Sequence, residues 1–317
     1  MINVTRNSNV NVLFIESNEA CPICEGVQSI CLGRKLTMDP QSSLEVDIWR
    51  CEECGHWTTR PMPTQETLNA LYSEGSLLVT SEGWAESTKS RAGMIHIAKN
   101  HWVYRDMSRF STDSGKARNY LEIGPGDGAL MSAFASDGWV CHAVEPGNWL
   151  GGDGIVSSAE GLPRELRVNT LVLHDVLEHC ADPAETLGEY SKFLDIGGRV
   201  YLAFPNSDSL EARWYGPSWG MVLPFGHLNY FSYKSIEKLL ERSGLQLESA
   251  HHARLGRRSE ALKSLLRRPL RAVVRGIRKQ SWSEFVRNLR LGLNDLISLV
   301  SKGDQWHIIA VHKNNSQ

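Results

Sequence analysis

From about residue 118 the chain alternates short apolar runs with amphipathic stretches. Asn119 to Ile123 has the apolar density of a buried strand, and Ala129 to Asp137 has helical spacing. Val140 to Glu145 reads as a second strand, with a short third at Ile155 and Val156. Thr170 to His174 is a strand, Pro183 to Leu194 a helix and Arg199 to Phe204 a strand. Tyr233 to Ser243 is a helix with Ser232 as its N-cap and Gly244 as its stop. A strand from Leu245 and a last apolar run, Trp306 to Val311, complete the series. Strands alternating with helices predict an α/β fold: a doubly wound, mostly parallel sheet with helices on both faces.

Flanking segments have other textures. Residues 1–17 form a polar tail, 18–62 hold paired cysteines, and 63–112 read as a helical linker. The parallel-sheet domain then spans 113–253 and regains its final strand over 304–317. Between them, 254–303 is a basic amphipathic insertion with apolar positions such as Leu262, Leu266, Val273 and Ile277 on one helical face. Thirteen Lys or Arg over 254–302 face three acids, Glu260, Glu284 and Asp295. Such a segment fits a helical hairpin packed on its own domain or on a second subunit of a homodimer, with its arginines solvated, or peripheral contact with an anionic membrane.

Composition narrows the class. The 317 residues are 41% hydrophobic and 22% charged, as in a soluble globular protein, and the net charge of −2 gives no case for nucleic acid. No stretch has the length and apolarity of a membrane span, and the first residues lack a signal-peptide pattern, so a cytoplasmic location is expected. Cys21-x-x-Cys24 and Cys51-x-x-Cys54 can each form a knuckle presenting two thiolates to one tetrahedral zinc. The intervening 26 residues exceed the usual gap of about 15–20, which a hairpin can absorb. Four thiolates leave no open position, so the zinc is expected to be structural.

The densest chemical signal is YLEIGPGDGALM, 120–131, where Gly124, Gly126 and Gly128 follow the first strand. Gly124, Gly126 and Ala129 satisfy a dinucleotide fingerprint, with Glu145 at about the distance of a ribose-binding acid. Glu122 and Asp127 argue against a pyrophosphate, because carboxylates beside phosphates repel in a partly buried site. The loop suits a cationic, phosphate-free ligand.

LEIGPGDGALMSAFASDGWVCHAVEPG resembles the first motif and second strand of class I S-adenosylmethionine-dependent methyltransferases. VLHDVLEHCADPAETLGEYSKFLDIGGRVYLAFPN and GHLNYFSYKSIEKLLERSGLQL resemble later regions of the same family, in order. The resemblance implies a Rossmann-like fold and S-adenosylmethionine as cofactor. It implies that Gly124, Gly126 and Gly128 line the methionine and ribose part, Glu122 faces the amino end, and Glu145 accepts the ribose hydroxyls. Ser158 and Ala159 replace the family's usual Asp-Ala at the adenine position, so Ser158 is the candidate there. His174 and Asp175 would border the sulfonium.

For an acceptor proton, histidine suits neutral pH. His227, in a loop over the sheet's carboxyl edge, is the first candidate general base, with His174 and His179 the others, while Glu178 and His179 also read as capping or hydrogen-bonding residues at a helix start near Asp182-Pro183. Trp214, Tyr215 and Trp219 could stack on a sugar or pin their loop. CPIC, CEECGHWTTRPMPT and LNALY resemble the cysteine-rich leader of methyltransferases that include enzymes acting on nucleotide sugars and surface-glycan precursors. The expected acceptor is therefore a small glycosyl or lipid-linked molecule. An NAD-dependent sugar enzyme and a non-catalytic zinc-knuckle protein with a degenerate Rossmann domain are the alternatives.

Overall fold

The computed structural model describes residues 20–36, 45–68, 91–110, 118–147, 150, 152–223, 226–253 and 303–312. The basic insertion lies outside them.

The first strands among the described residues are three antiparallel ones, β1 (Ser29–Leu36), β2 (Glu45–Cys51) and β3 (Trp57–Arg60). Helices α1 (Arg91–Asn100) and α2 (Trp102–Met107) follow. The main domain then runs β4 (Asn119–Ile123), α3 (Ala129–Ser136), β5 (Val140–Val144), β6 (Ile155–Val156), β7 (Val168–His174), α4 (Pro183–Ser191) and β8 (Leu194–Pro205). It continues through α5 (Leu210–Tyr215), β9 (Asn229–Tyr230), α6 (Tyr233–Arg242), β10 (Leu245–Ala253) and β11 (Gln305–His312). Seven strands form one sheet in the order β10-β11-β8-β7-β4-β5-β6. The five strands from β6 to β8 run parallel, and β11 is antiparallel to both of its neighbours.

Strand alternation sorts the two faces. Leu121, Leu173, Leu202 and Ile308 meet Leu187, Tyr190, Ile236 and Leu239 of α4 and α6. Tyr120, Val172, Tyr201 and Ile309 meet Ala98, Val103, Met107, Ala133 and Phe134 of α1 to α3. The expected helix Pro183 to Leu194 is shorter, because Leu194 already pairs with Val168 and so begins β8. Its N-cap is Asp182, whose carboxylate accepts from the Ala184 and Glu185 amides at 3.0 and 2.9 Å. Glu178 and His179 do not cap it.

The cysteine-bearing strands are joined to the main domain. β3 pairs with β9, making a four-stranded sheet β1-β2-β3-β9. Ser232 donates to the Cys54 carbonyl at 2.5 Å while accepting from Ser235 N at 3.1 Å in a capping box. Arg242 donates to the carbonyls of Pro22 and Ile23 at 2.8 and 2.9 Å, and His56 lies 3.1 Å from Asn229 Oδ1. Trp219 is buried against Trp57 and Tyr230, so it pins its loop to this smaller sheet, whereas Trp214 is 55% exposed. Among the described residues no helix is long and apolar enough to cross a membrane.

Candidate functional site

The sheet order reverses between β4 and β7: β5 and β6 lie beyond one, β8 and β11 beyond the other. A crevice forms at the carboxyl ends of such a strand pair, and ligands bind there. Two loops build its walls. After β4, Gly124, Gly126 and Gly128 all take positive φ, at 65°, 56° and 70°. At Gly124 a β-carbon would sit 3.0 Å from Cγ2 of Val176, so the turns after β4 and β7 are in contact. At Gly126 it would meet nothing within 4 Å, which leaves an open backbone ledge. Asp127 accepts from Ala129 N at 3.0 Å and fixes the entry into α3.

Three carboxylates surround this turn. Glu122 is 4% exposed, and one of its oxygens has no hydrogen-bond partner among the described residues. Burial, with the Asp127 and Glu145 carboxylates nearby, pushes it up to about 8. Glu145, also buried, directly follows β5 and accepts from Gly147 N at 2.9 Å. Ser158 precedes the short helical turn Ala159–Gly161, with its carbonyl accepting from Gly161 N at 3.1 Å. Its hydroxyl holds the exposed Glu160 carboxyl below its ordinary value.

At the end of β7, Asp175 takes φ 55°, a left-handed conformation rare for a residue with a side chain. Its backbone amide donates to the Ala203 carbonyl at 3.1 Å, and Gln305 of β11 donates to its Oδ1. Its Oδ2 lies 3.3 Å from His174 Nδ1. His174 is partly exposed and packs edge-on to His101 at 5.5 Å between ring centroids. Burial and the neighbouring His174 push His101 down to about 4. His101 and Gln305 lie in segments far from the glycine loop in sequence, and nothing in the local sequence marked either.

His227 sits elsewhere. It is buried beside His179, with ring centroids 4.9 Å apart, and its Nδ1 meets the Met221 carbonyl at 2.8 Å. Burial, then His179, push it down to about 3. The structure therefore joins His174 to Asp175 and His227 to His179 as two separate groups. Glu178, 1% exposed, lies in the second group with one carboxylate oxygen unpartnered among the described residues.

The four cysteine sulfurs lie within 4.8 Å of one another, with Cys21–Cys54 and Cys24–Cys51 each at 3.6 Å. Those separations are far beyond a disulfide bond of about 2.05 Å. Both knuckles close alike: Glu25 N donates to Cys21 O at 2.9 Å, and Gly55 N to Cys51 O at 3.0 Å. The Cys54 hydrogen bond pulls the Cys21 thiol down to about 4, while burial and that thiolate push Cys54 up.

Residues 94–250 match a family described as a methyltransferase domain. No curated protein matches the sequence. Among solved structures, a SAM dependent methyltransferase from Archaeoglobus fulgidus is 14% identical, with 71% of this chain and 96% of that one covered at a TM-score of 0.40. The 1,6-didemethyltoxoflavin-N1-methyltransferase of Burkholderia thailandensis is 12% identical, with coverage of 89% and 100% and a TM-score of 0.44. Magnesium protoporphyrin IX methyltransferase from Synechocystis PCC 6803 is 12% identical, with coverage of 78% and 99% and a TM-score of 0.44.

Proposed function

We propose that this chain, an enzyme with a class I methyltransferase domain over residues 94–250, moves the methyl group of S-adenosylmethionine to a small glycosyl acceptor. The observation that carries the cofactor assignment is the buried, incompletely paired Glu122 carboxylate beside an open glycine ledge. A ligand bearing an ammonium and a sulfonium offsets the cost of ionising that group, and a pyrophosphate would raise it. Glu145 is the acceptor for ribose hydroxyls, and Ser158 the candidate polar contact for the adenine end. Bound S-adenosylmethionine supplies an already activated methyl group.

The protein's part is alignment and proton removal. His174 is the better base. It is partly exposed at the end of β7 with Asp175 Oδ2 3.3 Å from its Nδ1, and Gln305 holds Asp175 in place. His227, depressed to about 3, is a poor match to neutral pH. The exposed Trp214 ring and the cysteine-leader resemblance support a sugar-like acceptor. The four cysteines fit a structural zinc: sulfurs about 2.3 Å from a tetrahedral ion are roughly 3.8 Å apart, close to the 3.6 Å pairs here.

The test is calorimetric titration with S-adenosylmethionine, S-adenosylhomocysteine and NAD, alongside Glu145→Ala. Binding of the first two, weakened in the variant, is expected, and an acceptor screen would begin with nucleotide sugars. Binding of NAD alone would overturn the reading.

A further inference from the structure

We propose that Glu178, His179 and His227 form a second divalent-metal site, open to an oxygen ligand and chemically unlike the four-cysteine cluster. One carboxylate oxygen of Glu178 and one nitrogen of each ring lie within 4.8 Å of one another. Two imidazoles and a carboxylate match a borderline first-row ion such as zinc, cobalt or nickel. Three protein ligands leave coordination positions unfilled, as in catalytic metal sites.

The surroundings fit that use. His179 Nδ1 is hydrogen-bonded to the Gly226 carbonyl and His227 Nδ1 to the Met221 carbonyl. A carbonyl on one ring nitrogen fixes the tautomer and makes the other nitrogen the lone-pair donor, the arrangement metal-binding histidines use. Glu178 Oε2 is fully buried and unpartnered among the described residues, an expensive state that a cation relieves. The two arms are tied together: Leu228 N donates to Glu178 O at 2.7 Å, and Asn229 Nδ2 to Cys180 O at 2.7 Å. The three donors are thus held by backbone contacts on both segments.

The site follows β7 directly, and Val176 between them touches the cofactor loop at Gly124. Resting on the methyltransferase reading, the open positions would take a hydroxyl or carboxylate oxygen of the acceptor. Metal binding itself needs only the three donors, whatever reaction the domain carries out.

Cobalt titration of the tag-free, full-length protein tests it. Cobalt that replaces an ion among thiolates gives a strong sulfur-to-metal charge-transfer band. Cobalt on nitrogen and oxygen gives only weak visible bands. The expected result is one cobalt per chain of the second kind, bound at least a hundredfold more weakly by Glu178→Gln and by His227→Gln. Equilibrium dialysis counts the ions, and circular dichroism with the thiolate band reports that the fold is intact. Glu178→Gln keeps the side chain's shape and removes the carboxylate ligand, so it guards against a misfolded His227 variant. Absence of the second cobalt in the wild type, or equal binding in Glu178→Gln, overturns the proposal and leaves a hydrogen-bonded core cluster. S-adenosylhomocysteine titration of the same wild-type sample reads the methyltransferase assignment separately: cobalt bound without it would sink that assignment alone.

Discussion

Replacing Glu122 with Gln keeps the side chain's shape and removes its titration, which makes the electrostatic account of the cofactor loop measurable. In the folded protein this carboxyl holds its proton up to about pH 8, against an ordinary value of 4.5. Between those values the folded state binds more protons than the unfolded chain, so stability falls as pH rises. The stabilising contribution of the protonated form is complete below pH 4.5 and gone above pH 8. At about 1.36 kcal/mol per pKa unit the full swing is roughly 5 kcal/mol. Coupling to Asp127 and Glu145 spreads that figure, and about 2–5 kcal/mol is a realistic range. Glu122 is 4% exposed, so solvent does little to screen it. Urea unfolding at pH 5, 7 and 9 should therefore give curves for wild type and Glu122→Gln that diverge with rising pH, the variant being the more stable at pH 9. The same variant should bind S-adenosylmethionine roughly 10- to 100-fold more weakly, the scale of one lost charged hydrogen bond. Parallel pH–stability curves would refute the burial argument. Unchanged cofactor affinity would refute the role given to the charge.

Gly124→Ala places a side chain at φ 65° and a β-carbon 3.0 Å from Val176. It should cost at least about 1 kcal/mol in unfolding free energy by the left-handed strain alone and lower the thermal midpoint. Cys51→Ser should lower the melting temperature of the whole protein and weaken S-adenosylhomocysteine binding, read by circular dichroism and calorimetry, because β3 pairs with β9 and Ser232 bonds the Cys54 carbonyl. Melting of the leader alone would contradict that coupling. His174→Gln should reduce kcat roughly 100- to 10,000-fold while S-adenosylhomocysteine affinity holds. A comparable loss of affinity would instead make His174 a binding residue.

Element identity was legible in the chain. The runs 119–123, 155–156 and 306–311, the cap at Ser232 and the stop at Gly244 all fall where the structure has them, to within a residue or two. Local patterns carry that information because strand alternation, capping and left-handed turns are set by neighbours within a few residues. The glycine loop was readable for the same reason: one strand, one turn and one helix start contain it. Where Pro183 to Leu194 was overextended, the deciding partner was Val168 on another strand, which no local pattern names.

The chemistry of individual polar groups needed the tertiary structure. His227 was a plausible base in sequence, yet its packing on His179 and its bond to Met221 leave it buried and weakly basic. Glu178 read as a cap, yet Asp182 performs that role and Glu178 is enclosed with an unpartnered oxygen. His56 meets Asn229 across 173 positions, and that meeting joins the cysteine strands to the main domain. The sequence by itself determined which segments become strands and helices and where the backbone must turn tightly. Only the tertiary structure decided which ionisable groups face one another and which lose water, because desolvation and pairing depend on atoms brought together from distant parts of the chain.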